Sequence, residues 1–376
     1  MNIPLVKPDL PPYDSIGASF KEVIENGKIT NFGKYVTAFE EGAGRYLGTN
    51  VATVSSGTMG LILALQALGI RQGDKVIVPS FTFMATAQAI LYAQAVPVFA
   101  DIGDDLTLSV DELEHMLSER QDIRAVLPVH TYGLPCDVDG IKKAVEKAEG
   151  ASGRDISLLY DAAHAFGAMT KNRKAGLFGD AEVFSLSVTK TLVSVEGGMI
   201  SSNDEGLIAR IRKMRNYGIG QNYDACFPGL NGKMSELHAI VGLHNLRRIE
   251  EFMSLRLEKA AYFTGRIKAG TSLSTIVTPA DARHTFKDFT VLIPQANAEK
   301  RQAVMDFLKV KGIETRAYFY PPLHQQTFFK VFGDRKLPKT EELSKRVITI
   351  PFYPSITKEE MDYIADMLKE AEGSIL

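Results

Sequence analysis

Two stretches decide how this chain folds: Leu158-Leu159-Tyr160-Asp161-Ala162-Ala163-His164, and Phe184-Ser185-Leu186-Ser187-Val188-Thr189-Lys190 with Glu196-Gly197-Gly198 after it. Each begins as a short apolar, strand-like run and ends on a residue that carries chemistry. An aspartate closing one strand and a lysine just past the next is the pair that pyridoxal-phosphate chemistry needs. The lysine amine condenses with the cofactor aldehyde. The aspartate pairs with the pyridinium nitrogen and keeps it protonated, so the ring can accept electrons from a carbanion.

Outward from these runs, short apolar strands alternate with helical stretches. Strands are expected at Lys75–Val78, Val96–Ala100, Ala125–Val129, Ile156–Tyr160, Glu182–Leu186 and Gly198–Ser201, with helices such as Met59–Leu68 and Ala85–Tyr92 between some of them. That alternation predicts an α/β fold with a mostly parallel central sheet covered on both faces, and ligands at the carboxyl ends of the strands. The first forty-odd residues read as an arm and a helix capped by Asp14-Ser15 and ended by Gly27. From Leu246 to Ile267 apolar residues recur at helical spacing, which predicts one long connecting helix. A strand at Phe289–Ile293 and helices at Ala303–Val310 and Glu359–Leu368 follow. The expected division is therefore an arm and large domain over 1–246 and a small C-terminal α+β domain over 247–376.

Composition narrows the function classes. The chain has 376 residues, 45% hydrophobic and 23% charged, with a net charge of −2, so no basic excess points to a nucleic-acid partner. No apolar run is long enough to span a membrane, and the first residues lack the apolar core of a signal peptide. Cys136 and Cys226 are the only cysteines, which supplies neither a disulfide framework nor a metal site; a cytoplasmic location is the simplest expectation.

The individual candidates are weaker than the pair. Lys190 alone would be a solvated surface charge, but its place after a strand and before Glu-Gly-Gly allows it to be desolvated, which favours the neutral amine. Asp161 could be a plain helix N-cap, although capping leaves the small residues after it unexplained. His164 could bond the ring hydroxyl or be structural. Ser55-Ser56-Gly57-Thr58 opens a helix, and free amides there make a phosphate cradle to which Thr58 adds a hydroxyl; a ligand-free cap is the common alternative. Ser185 is a second phosphate donor. Phe83 could stack on the ring, with core packing as the default. The cluster Arg210-Ile211-Arg212-Lys213-Met214-Arg215 reads as a solvated helix face, with contact to a diphosphate as the alternative.

Taken together, Gly27-Lys28-Ile29-Thr30-Asn31-Phe32-Gly33, Ser56-Gly57-Thr58, Asp161-Ala162-Ala163-His164, Gly179-Asp180-Ala181, Ser185…Lys190, Glu196-Gly197-Gly198 and Asn231-Gly232-Lys233-Met234-Ser235-Glu236 resemble the DegT/DnrJ/EryC1/StrS family of sugar aminotransferases, over nearly the whole chain. The resemblance implies a fold-type I enzyme dependent on pyridoxal 5'-phosphate, without a metal. It implies Lys190 as the cofactor-bearing lysine and proton shuttle, Asp161 on the ring nitrogen, and Gly57, Thr58 and Ser185 on the phosphate. Phe83 would stack on the ring and His164 would sit near its hydroxyl. Asn231 would reach into the neighbouring subunit's site, which implies a homodimer with shared active sites. One departure stands out: many members carry histidine where Ser187 stands, so the substrate pocket is expected to differ in shape. Retention of Lys190 argues against the related dehydratases, which carry histidine there, and the scarcity of cysteine argues against the iron–sulfur branch.

Within the family, Asp180–Ser185, Asn231–Glu236 and Thr315-Arg316-Ala317-Tyr318-Phe319…His324 look most like enzymes that aminate carbon 4 of dTDP-4-keto-6-deoxyglucose from L-glutamate. Asn31, Arg316, Tyr318 and His324 are then the expected sugar-nucleotide residues, arginine being suited to bidentate diphosphate contacts. The alternatives are a 3-keto or a UDP- or GDP-linked sugar, a non-nucleotide ketone such as a keto-inositol, and a non-catalytic cofactor-binding regulator.

Overall fold

The computed structural model describes residues 1–333 and 335–376. In chain order its first elements are α1 (Tyr13–Asn26), α2 (Lys34–Leu47), β1 (Asn50–Val54), α3 (Gly57–Ala67), β2 (Lys75–Pro79), α4 (Met84–Tyr92), β3 (Val96–Ala100), α5 (Val110–Glu119), β4 (Ile123–Val126), α6 (Val138–Ser152) and β5 (Ser157–Asp161). Next come the short β6 (Met169–Thr170) and β7 (Arg173–Lys174), then β8 (Ala181–Ser185), β9 (Gly198–Ser202), α7 (Glu205–Met214) and α8 (Glu236–Leu246). The C-terminal part holds α9 (Ile249–Gly270), β10 (Ser274–Thr275), β11 (Ala282–Arg283), β12 (Phe289–Leu292), α10 (Ala298–Val310), α11 (Pro338–Ser344), β13 (Val347–Ile350) and α12 (Lys358–Ile375).

The central sheet has seven strands in the order β1-β9-β8-β5-β4-β2-β3. The pairs β2·β3, β2·β4, β4·β5 and β5·β8 are parallel; β9 runs against both of its neighbours, β8 and β1. The strands are apolar because both faces are covered. Successive residues alternate between two cores: Ile77, Val126, Tyr160 and Phe184 point into one, and Val76, Val78, Leu127, Leu159 and Val183 into the other. This is the period-two signature of a strand with no wet face.

The C-terminal part carries its own three-stranded sheet, β10-β12-β13, and a separate core built from α9, α10, α12 and that sheet. We propose residues 1–246 and 247–376 as the two domains. Two segments cross that line. Leu323, Phe329 and Leu337 pack into the large core. At the other end Ile3 pairs with Ile313, and its amide donates to Gly312 O at 2.8 Å.

Several local expectations are corrected. The expected long helix is α9, which begins at Ile249 and not at Leu246; Leu246 ends α8, and Arg248, at φ −107° and ψ 5°, separates the two. Asp14 and Ser15 do not cap α1; Pro12 holds that position and the Ser15 hydroxyl donates to Pro12 O, while Gly27 does close the helix in the left-handed conformation. The arginine cluster is not simply a solvated face. Arg215 is buried against Glu40 and Thr53, and Arg210 donates to Ala67 O at 2.7 Å. Helix α2 starts at a glycine with no capping side chain of its own. Its cap is Glu236, whose carboxylate accepts from Gly33 N at 2.8 Å and Tyr35 N at 2.7 Å.

Candidate active site

The carboxyl ends of β5 and β8, the start of α3 and the loop after β8 converge on a cavity of about 340 Å³. Asp161 is the last residue of β5 and is buried. Its Oδ2 accepts from Thr86 Oγ1 at 2.8 Å and its Oδ1 from Ala163 N at 3.0 Å. Burial raises its carboxyl pKa, and these two donors and Lys190 work against that shift. Lys190 lies in a turn closed by its own amide on Ser187 O at 3.0 Å. Burial, and then the Lys287 ammonium, bring its amine down to about 7. The pair therefore offers a carboxylate and an amine that is substantially neutral near neutral pH.

Helix α3 supplies the other end. Ser56 caps it by accepting from Met59 N at 3.1 Å, and Gly60 N donates to Ser56 O, which leaves the amides of Gly57 and Thr58 as the free donors of the first turn. A Cβ on Gly57 would lie 2.9 Å from the Ser185 Cβ, so only glycine lets β8 approach this closely. Gly198 is constrained in the same way, since a Cβ there would meet Ser56 O at 2.4 Å.

Of the expected site residues, Gly57, Thr58, Phe83, Asp161, His164, Ser185, Lys190 and Tyr318 line this one cavity. The His164 Nδ1 is buried without a partner, and burial keeps the imidazole well below its ordinary pKa, hence neutral. Phe83 is half exposed at the rim.

Four others lie elsewhere. Asn31 is exposed in the turn before α2. Asn231 is exposed and its backbone bridges Asn216, outside this chain's cavity. Arg316 turns to Glu314 at 2.8 Å, with its backbone paired to Thr349. His324 is buried, with Nδ1 2.6 Å from Ser80 Oγ and Nε2 3.4 Å from Glu341, so it ties the segment after Pro322 to the large core.

Among the lining residues that the sequence does not single out, three carry polar groups central to the site: Thr86, Lys287 and Asp288. Thr86 carries no signal of its own, being a small polar residue on a helix. Lys287 and Asp288 were legible as two charges at the mouth of the apolar run Phe289–Ile293; both are buried, with Lys287 Nζ 2.7 Å from Asp288 Oδ1. Among the described residues there is no group of three or more histidine, cysteine or acidic side chains that could hold a metal, and no helix is long and apolar enough to cross a membrane.

These residues fit pyridoxal phosphate. A buried carboxylate that could pair with a ring nitrogen, a helix N-terminus with unpaired amides for a phosphate, an imidazole with an unpartnered Nδ1 and a low-pKa lysine all line the same space. The cavity volume is within the range of small-molecule sites.

Comparison with known proteins agrees. The profile of the DegT/DnrJ/EryC1/StrS aminotransferase family matches residues 14–369. A GDP-perosamine synthase of Vibrio cholerae is 30% identical over 98% of both chains. A UDP-N-acetyl-3-dehydro-alpha-D-glucosamine 3-aminotransferase of Acidithiobacillus ferrooxidans is 33% identical over 91% of both. The crystal structure of DesI in the presence of its TDP-sugar product superposes with a TM-score of 0.90 at 30% identity, covering 99% of this chain and 93% of that one. Solved relatives of the same fold include forms holding pyridoxal phosphate and pyridoxamine phosphate. The expected α/β architecture, with its mostly parallel sheet and smaller C-terminal α+β part, is the architecture of these structures.

Proposed function

Because the chain belongs to the DegT/DnrJ/EryC1/StrS aminotransferase family, and is accordingly a pyridoxal-phosphate-dependent aminotransferase of sugar nucleotides, we propose that it moves the amino group of L-glutamate to carbon 4 of dTDP-4-keto-6-deoxyglucose, giving dTDP-4-amino-4,6-dideoxyglucose. The observation that carries the chemistry is the pairing of Lys190, at about 7, with buried Asp161 across one cavity. The dTDP and carbon-4 assignment rests on the resemblance of residues 180–185, 231–236 and 315–324, with the TDP-sugar bound by DesI as support. The GDP- and UDP-linked names of the other relatives favour a second reading, a GDP- or UDP-linked or 3-keto acceptor.

Bound pyridoxal phosphate supplies an aldehyde and an electron-accepting ring. The chain's own residues do the rest. Lys190 would hold the cofactor through its aldehyde, and its freed amine would carry a proton from the donor α-carbon to the cofactor carbon within the first half-reaction and from the cofactor carbon to the acceptor carbon within the second. Asp161 keeps a positive charge on the ring nitrogen, with Thr86 and Ala163 fixing its two oxygens. Gly57, Thr58 and Ser185 would hold the phosphate, Phe83 would cover the ring, and neutral His164 would serve the ring hydroxyl. Asn231, exposed on its own subunit, completes the phosphate site of a second copy, so the working unit is a homodimer. Tyr318 closes the cavity on the sugar side.

The test is the reaction in halves. The protein is converted with L-glutamate until the visible cofactor band is lost, and then dTDP-4-keto-6-deoxyglucose is added. Return of the band together with a 4-amino sugar supports the assignment. Return only with a GDP- or UDP-linked or a 3-keto sugar replaces the acceptor and keeps the reaction.

A further inference from the structure

The Lys190 loop has a second side. Behind it is a small pocket of about 10 Å³, bordered by Lys7 and Asp9 of the N-terminal arm, Arg256 of α9, Lys287, and Lys190 itself. Val6, Thr189, Lys190 and Lys287 line both this pocket and the main cavity, so they form the partition between the two. The volume is room for about one water-sized atom.

The charges around it are not settled. Arg256 is 4% exposed; one of its nitrogens, Nη1, donates to Phe286 O at 2.9 Å, but its Nε is buried with no partner. Burial brings this guanidinium down to about 10. Lys287 is 7% exposed and spends one of its three donors on Asp288 Oδ1. Lys7, Arg256 and Lys287 face Asp9 and Asp288, so with Lys190 neutral the corner keeps a surplus positive charge. Burial raises the Asp9 carboxyl, against the pull of its cationic neighbours Arg256, Arg248, Lys259 and Lys7. A buried unpaired guanidinium N–H and an ammonium with spare donors call for an anionic acceptor. The acceptor that the reaction brings next to Lys190 in every cycle is a carboxylate.

We propose that Lys287 and Arg256 form the carboxylate subsite of the amino donor, at the partition behind Lys190. An α-amino acid entering the main cavity with its amine toward Lys190 brings its carboxylate to the spare donors of Lys287, which lines that cavity, with the Arg256 charge backing the same partition from the small pocket behind it. The subsite explains why a charged pair sits at the mouth of an otherwise apolar strand. It also assigns the arm a role, since residues 6–9 close the corner while the Asp9 carbonyl is held by Asn245 Nδ2 at 3.0 Å. The inference rests on the aminotransferase reading for its ligand.

The experiment uses the holoenzyme and glutarate, a dicarboxylate without an amine, titrated by calorimetry and by the shift of the visible cofactor band. The two half-reactions are then measured separately with L-glutamate and with the keto sugar nucleotide. In K287M both glutarate and glutamate should bind about tenfold or more weakly, the loss expected for one charge-assisted hydrogen bond. Because Lys287 also depresses the Lys190 amine, kcat is expected to change in both half-reactions, and the subsite is read from a KM for glutamate that rises without a matching rise in the KM for the keto sugar nucleotide. K287R should recover most of the affinity, and R256K, which keeps the charge, should keep most of it. Unchanged glutarate binding in K287M, or an equal rise of KM for glutamate and for the keto sugar nucleotide, overturns the subsite. Wild-type protein that binds glutarate but aminates no sugar nucleotide would fail the acceptor reading and leave the subsite standing.

Discussion

Thr86 Oγ1 donates to Asp161 Oδ2 at 2.8 Å, one turn into α4 from Thr82, whose hydroxyl lies 2.9 Å from the same Thr86 oxygen. The carboxylate assigned to the ring nitrogen is therefore fixed from behind by a chain of two buried hydroxyls, with the Ala163 amide on its other oxygen. Removing the hydroxyl without changing shape, as in T86V, should weaken pyridoxal-phosphate binding by roughly tenfold, the scale of one hydrogen bond to a charged group. T86S should keep most of it. Equilibrium titration of the apoprotein measures both, and equal affinities in T86V and wild type would leave Thr86 a packing residue.

The amine of Lys190 sits at about 7 instead of its ordinary 10.5 because burial, and then the Lys287 charge, disfavour the ammonium. The neutral nucleophile therefore accumulates as pH rises through about 7, and little more is gained above that. The rate at which apoprotein captures pyridoxal phosphate should rise through that midpoint and level off, whereas an exposed lysine would keep accelerating toward 10.5. A rate profile with no inflection near neutrality would place the amine in solvent.

His324 is expected to matter for folding and not for substrate. Its ring is tied to Ser80 and Glu341, its own amide donates to Ser80 Oγ at 3.0 Å, and burial lowers its pKa. H324A should lose about 1–3 kcal/mol in chemical denaturation, the usual penalty for orphaning buried polar partners. The KM for the keto sugar nucleotide should stay near wild type. A raised KM with unchanged stability would return His324 to the substrate site.

What the sequence made legible was the part written in local pattern. The strands around Val76–Val78 and Leu158–Tyr160 declare themselves because each buries both faces, and Asp161 and Lys190 stand out because they end such runs. Contacts between distant segments left no local trace. Nothing near Gly33 shows that its helix is capped by Glu236, and nothing near His324 shows that Ser80 is its partner. The break at Arg248 was hidden because the apolar spacing continues through it into α9. Thr86 was invisible because its role depends on α4 bringing it to the Asp161 carboxylate at the end of β5, a tertiary fact.

The Glu236 cap is testable by itself. Its buried carboxylate takes the amides of Gly33 and Tyr35, with Val36 N at 3.4 Å, and a Cβ on Gly33 would meet its Cδ at 2.8 Å. E236A should destabilise the protein by about 2–4 kcal/mol, since it leaves helix-end donors buried and unpaired. E236Q, which keeps one carbonyl acceptor, should lose less. Equal loss in the two variants would mean that packing, not capping, is what Glu236 provides.

Gly198 tests the phosphate cradle without touching a residue assigned to the cofactor. Its partner in the ladder is Ser185, and a Cβ at this position would fall 2.4 Å from Ser56 O and 2.7 Å from Gly57 N. Those are backbone atoms, so G198A has to displace the junction between β1 and α3 and cannot be absorbed by a rotamer. The displaced amides are the ones proposed for the phosphate, whereas Asp161 stands at the end of β5 and Lys190 in the turn after β8. G198A should therefore lose affinity for pyridoxal phosphate while its much weaker binding of pyridoxal, which lacks the phosphate, changes little. Parallel titrations of apoprotein with the two compounds separate a damaged cradle from a damaged fold: equal losses for both would mean that the substitution disturbs the whole site.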